Sequence, residues 1–99
     1  MAFSGTVHLF RGDFNLAIGE LRESVESDPI RWNNLAVALA FQSEEASSPV
    51  DSNDDAMRVF RSAIDIAKPK NETLANLIER NMGIYAGRDM TSQYYIELP

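Results

Sequence analysis

The stretch Trp32-Asn33-Asn34-Leu35-Ala36-Val37-Ala38-Leu39-Ala40-Phe41 decides how the rest of the chain is read. Its large apolar residues fall at Trp32, Leu35 and Leu39, with small Ala36 and Ala40 beside them. That spacing predicts a helix, and the small residues let a neighbouring helix approach closely. The helix is expected from about Ile30 to Ser43. It is more apolar than the segments around it, which makes it the expected central element.

Working toward the N-terminus, Phe14 to Ser27 carries Ala17, Ile18, Leu21 and Val25 on one helical face and Glu20, Glu23 and Glu26 mostly on the other. Ser27-Asp28-Pro29 ends it, since proline disfavours helical geometry in the residue before it. Phe3 to Phe10, with Val7 between, predicts a further short helix. Gly12 is suited to the left-handed turn that stops a helix, and Asp13 to the cap of the next.

Toward the C-terminus, Glu44 to Asp54 is polar, acidic and broken by Pro49, and reads as a loop. Asp54 or Asn53 can cap the next helix. That helix, Ala56 to Lys68, has an apolar stripe at Met57, Phe60, Ala63, Ile64 and Ala67, with Arg58, Arg61, Asp65 and Lys68 facing solvent. A fifth helix is expected from Glu72 to about Ala86, with Leu74, Leu77, Ile78, Met82 and Tyr85 inward and Gly87 at its end. The chain thus divides into a helical domain at 1–87 and a tail at 88–99, where Tyr94-Tyr95-Ile96 suits either a short helix or an extended arm.

The segments also resemble one another. Trp32-x-x-Leu35-Ala36-x-x-Leu39 has a weaker copy in Leu74-x-x-Leu77-Ile78-x-x-Asn81. Ala17-x-x-x-Leu21-x-x-Ser24 ending at Pro29 matches Ala56-x-x-x-Phe60-x-x-Ala63 ending at Pro69. From Phe3 to about Gly87 these residues resemble the tetratricopeptide repeat, whose units of about 34 residues are helical hairpins with a W-x-x-L-G-x-x-Y start, a later A-x-x-x-F and a closing proline. Ala56 to Leu74 keeps the regular spacing of 18 residues. Trp32 to Ala56 spans 24 residues, about eight more than a regular unit, and the excess falls in the acidic loop where insertion costs least. The departures are a missing leading aromatic in the first unit, Ala36 and Ile78 in place of glycine, a short turn after Pro29, and no second helix in the last unit.

The resemblance implies an all-α fold of about five helices, stacked as antiparallel hairpins into a short right-handed solenoid. It also implies a concave face, lined by the first helix of each hairpin, that grips a partner peptide or helix. Carried onto this chain, that face would comprise Thr6, Leu9 and Phe10, then Asn33, Asn34, Val37 and Phe41, then Ala75, Asn76 and Glu79. Asn34 and Asn76 stand out, because an amide can hold a peptide backbone by donating and accepting at once. Some members of the family clamp C-terminal carboxylates with basic side chains. The matching positions here are Ala2, Asn33, Ala75 and Asn76, none of them basic, so that ligand is not expected.

Composition narrows the function further. The formal net charge of -6, from 15 acidic and 9 basic residues, argues against nucleic acid and anionic membrane and for a neutral or basic protein partner. No cysteine is present, so disulfides and thiolate metal sites are excluded, and a reducing, cytoplasmic setting is expected. No signal peptide is read at the N-terminus, and the apolar run from Leu35 to Phe41 is far shorter than the roughly 18–20 residues of a membrane span.

Four short motifs have ordinary structural readings. Asp51-Ser-Asn53-Asp54-Asp55 begins like a calcium loop, but Ala56 and Ser62 stand where glycine and glutamate are required. Arg11-Gly12-Asp13 reads as a helix stop and cap. Asn71-Glu72-Thr73 reads as an N-cap rather than a glycosylation site. His8, the single histidine, falls at a packing position of the repeat. No catalytic constellation, phosphate loop or metal cluster is found, so neither an enzyme nor a cofactor is expected. The expected function is a protein-interaction scaffold or adaptor. Its alternative is a structural subunit that self-associates or joins a larger helical assembly, through a Phe3/Phe10 face or the Tyr94/Tyr95/Ile96 tail.

Overall fold

In a computed structural model, the described residues are Gly12, Leu16, Ile18, Gly19, Arg22, 28–45, 54–87 and 92–96. Among them the chain is all-helical, with three complete helices and no strand: α1 (Pro29–Glu45), α2 (Asp55–Ala67) and α3 (Glu72–Ala86). The expected first helix, at Phe3 to Phe10, lies outside the described residues, as do most of the second, the loop at 46–53 and His8. Leu16, Ile18, Gly19 and Arg22 are helical, and Ile18 packs on the core. Gly12 has φ +83°, the left-handed conformation expected of a helix stop.

Each helix is started by an acid or amide side chain that satisfies a backbone donor the first turn leaves free. Asp28 Oδ1 accepts from the amide of Ile30 at 3.0 Å, while its carbonyl accepts from Trp32 at 3.1 Å. Pro29 is then the first helical residue, where a proline lacks nothing the helix needs. Asp54 Oδ1 accepts from the amide of Met57 at 2.8 Å, and Asn71 Oδ1 from that of Leu74 at 3.1 Å. Between α2 and α3 the carbonyl of Ala67 accepts from both Lys70 and Asn71, at 2.9 and 2.7 Å, which makes the turn around Pro69 tight.

The helix ends match expectation to within one residue except at the end of α1. α1 runs on to Glu45, so Glu44 and Glu45 belong to the helix and not to the acidic loop. Glu44 has a long-range reason to be ordered there: its Oε1 accepts from the hydroxyl of Tyr94 at 2.9 Å.

α2 lies between the other two helices and packs extensively on both, while α1 and α3 touch each other only marginally. α2 buries Phe60, Ala63 and Ala67 of its expected stripe together with Ala56, leaves Met57 and Ile64 half-buried, and exposes Arg58, Arg61, Asp65 and Lys68. α3 buries Leu74, Ala75, Ile78, Asn81, Ile84 and Tyr85. α1 is different. Every residue from Asn33 to Ala40 is buried, so no solvent face exists over those two turns. The division of α1 into a core face and an open groove face is therefore corrected. Trp32, expected at the centre, is half-buried at the edge of the core. The large fully buried apolar and aromatic side chains are Tyr85, Phe60, Ile78 and Val37.

Tyr85 also carries the main polar tie within this core. Its ring lies 6.2 Å from that of Phe60. Its hydroxyl reaches Ser43 Oγ at 3.2 Å and Asp54 Oδ2 at 2.5 Å. One carboxylate thus caps α2 with one oxygen and holds the end of α3 with the other.

Candidate functional site

The space between α1 and α3 is filled by the C-terminal arm, residues 92–96. It has no helical structure, so of the two alternatives for the tail the helix is excluded over these residues. The contacts that seat it begin with two asparagines that the helices bring together from 48 positions apart.

Asn33 on α1 and Asn81 on α3 meet where these two helices make their marginal contact. Asn81 Nδ2 donates to Asn33 Oδ1 at 2.8 Å and to the carbonyl oxygen of Tyr95, also at 2.8 Å. Asn81 Oδ1 accepts from the backbone amide of Tyr95 at 2.7 Å. Asn33 Nδ2 donates to the same Tyr95 carbonyl at 2.9 Å and to Asn34 Oδ1 at 3.3 Å. Both donor hydrogens of each primary amide are thereby used, and each amide oxygen accepts once. This is what burial demands, since Asn33 is 1% exposed and Asn81 0%.

The geometry on the arm is informative. A residue turns its own N–H and C=O to the same side only when the backbone is extended, as in a strand. Asn81 meets both groups of Tyr95, so its side-chain amide stands in for a pairing strand. The bonds are to backbone and do not read the side chain at that position.

The preceding residue is held by its side chain. The ring of Tyr94 meets Phe41 edge-on, with centroids 5.2 Å apart and planes at 82°, a favoured aromatic geometry. Its hydroxyl donates to Glu44. Further out, Arg80 Nη1 donates to the carbonyl of Gln93 at 3.4 Å on the exposed rim. Among the described residues, the groups that meet the arm include two buried carboxamides, an aromatic ring, an acid and a guanidinium.

The expected groove residues separate into three sets. Asn33 and Phe41 touch the arm. Asn34 and Val37 are each 0% exposed, and Ala75 is buried too, so none lines an open surface. Asn34 supports Asn33 instead of holding a peptide itself. Asn76 and Glu79 are exposed on α3, and no contact between them and the arm is found among the described residues. Thr6, Leu9 and Phe10 lie outside the described residues. The backbone of the arm is held by Asn33 and Asn81. Asn81 was legible in principle: it is the polar residue at a repeat position that otherwise takes an apolar or aromatic one.

Among the described residues, no group of three or more His, Asp or Glu side chains is placed to hold a metal ion. No helix there is long and apolar enough to cross a membrane. The chain matches no model of a known protein family, no characterised protein and no solved structure.

Proposed function

We propose that this chain is a small tetratricopeptide-like interaction module, an adaptor that holds an extended segment of a partner protein between α1 and α3. The carrying observation is the pair of hydrogen bonds from Asn81 to the amide and carbonyl of Tyr95. A buried carboxamide that satisfies both polar groups of one extended residue is a device for holding peptide backbone. The repeat pattern supports the reading, since it makes α1 and α3 the leading helices of successive hairpins. The proposed module is a binder and not an enzyme, with no cofactor. Its acidic balance favours an uncharged or basic segment, and its lack of cysteine suits a cytoplasmic setting.

A display library of random peptides, panned against the monomeric full chain, tests this. Enrichment of binders that compete with one another for one site supports it; no enrichment over a scrambled control overturns it. The second reading, a subunit that self-associates, is favoured by Leu16, an apolar helical residue left 57% exposed. Light scattering separates the two: a tight dimer at low concentration that a Leu16→Glu substitution dissociates would support self-association.

A further inference from the structure

Resting on that reading, we infer that residues 93–96 are a built-in occupant of the peptide site, and that the external ligand is an uncharged extended segment with tyrosine at the place of Tyr94. The arm fills the site in cis, and the ligand binds only when the arm leaves.

Three observations carry this beyond a tail packed on its own fold. The first is the choice of residues beneath the arm. An apolar tail is covered most simply by apolar side chains, and buried carboxamides are costly unless every bond is made. Asn33, Asn34 and Asn81 instead give the vacated site a polar floor that water can satisfy, so an empty site is tolerable.

The second is where burial stops. The core of α1, α2 and α3 contains fully buried Val37, Phe60, Ile78 and Tyr85, whereas Tyr94, Tyr95 and Ile96 are only half-buried against it. The arm's side chains are thus less buried than those the helices bury between them, so parting the arm from its seat exposes less apolar surface than parting the helices.

The third is selectivity. Asn33 and Asn81 bond position 95 through its backbone, and Arg80 bonds the carbonyl of position 93. Any extended chain can make these. Position 94 is read by its side chain, whose ring meets Phe41 and whose hydroxyl donates to Glu44. Glu44 also disfavours an acidic residue there, and Gln93-Tyr94-Tyr95-Ile96 is itself uncharged. Because the arm is tethered close to its site, its effective concentration there is high, and it competes strongly with anything free.

The test uses a fluorescent peptide, Ser-Gln-Tyr-Tyr-Ile-Glu-Leu-Pro, identical to residues 92–99. It is titrated into the full chain and into the full-length Tyr94→Ala variant, whose own arm has lost its side-chain anchors. Binding at least about tenfold tighter to the variant is expected, since apparent affinity falls with the fraction of sites open. Alanine at the peptide's first tyrosine should abolish binding, as should N-methylation of its second tyrosine, which removes the proton given to Asn81. Equal affinity for both proteins would place binding elsewhere and overturn the inference, while leaving the module reading intact. No binding to either would overturn the inference alone if the library yields binders, and both readings if it does not.

A measurement on the unsubstituted chain covers the case in which Tyr94→Ala does not fold. In 15N-labelled protein, excess unlabelled peptide should cost the Tyr95 amide its exchange protection while the side-chain amides of Asn33 and Asn81 stay protected. A Tyr95 amide unchanged at millimolar peptide would show the arm to be a fixed part of the fold. Arm exchange between two copies, seen as a peptide-sensitive dimer of the unsubstituted chain, would replace the inference with a different one.

Discussion

The hydroxyl of Tyr85 sits 2.5 Å from Oδ2 of Asp54, joining the last turn of α3 to the first turn of α2. Removing the hydroxyl leaves the carboxylate with its capping bond but without this partner. Tyr85→Phe should therefore lower stability by about 1.5–3 kcal/mol, the range for a hydrogen bond to a charged group. Asp54→Ala should cost more, because it removes the cap as well. Urea unfolding of the two variants and of the double variant checks this. Strictly additive losses would mean that the hydroxyl and the carboxylate are not coupled.

The helix interior of α3 contains Gly83, which is exposed and would meet nothing within 4 Å if it bore a Cβ. Glycine there leaves the unfolded chain needlessly free. Gly83→Ala should stabilise the protein by about 0.5–1 kcal/mol, seen as a higher midpoint in thermal melting. A lower midpoint would point to a contact at this surface that the helices do not explain.

Burial orders two aromatic residues against their size. Phe60 is fully buried and Trp32 only half-buried. Phe60→Ala should cost about 3–5 kcal/mol, and Trp32→Ala clearly less in the same denaturant titration. If the tryptophan proved the more costly loss, Trp32 and not Phe60 would mark the centre of the core.

In the arm, Tyr94→Phe keeps the ring against Phe41 and loses the hydroxyl's bond to Glu44. It should cost about 0.5–1.5 kcal/mol. Asn81→Ala strips a partner from Asn33 and two from Tyr95. Its cost should be the larger, at least about 2 kcal/mol, because buried groups are left unpaired. Hydrogen exchange at the Tyr95 amide gives an independent reading, with loss of protection expected in Asn81→Ala and only slight loss in Tyr94→Phe.

Helical class, the α2 stripe and the caps at Asp54 and Asn71 are legible in the sequence because they depend on residues a few positions apart. Periodicity and capping chemistry are local, and Phe60, Ala63 and Ala67 declare a buried face without reference to the rest of the chain. The orientation of α1 is not legible. Its apolar residues run nearly all round, so periodicity cannot tell which side meets what, and the repeat pattern turns Val37 outward although it is fully buried. Asn81 leaves one trace, a polar residue where the matching position of α1 has Leu39, but that trace does not name its partners. The arm is hidden for a simpler reason. Four residues are too few to show a period, and what fixes them are partners as far as 62 positions away.

That separation bears on the order of folding. The helices can assemble through contacts between chain neighbours, α1 with α2 and α2 with α3, whereas the arm's seat exists only once α1 and α3 have brought Asn33 and Asn81 together. Asn33 and Asn81 then face each other before Tyr95 arrives to pair with both. Substitutions at Tyr94 should accordingly hasten unfolding and leave the refolding rate nearly unchanged in stopped-flow kinetics; slowed refolding would make the arm an early organiser. With the arm last to dock and first to open, the two asparagines act as a latch seat, with a lifetime set separately from that of the helices beneath it.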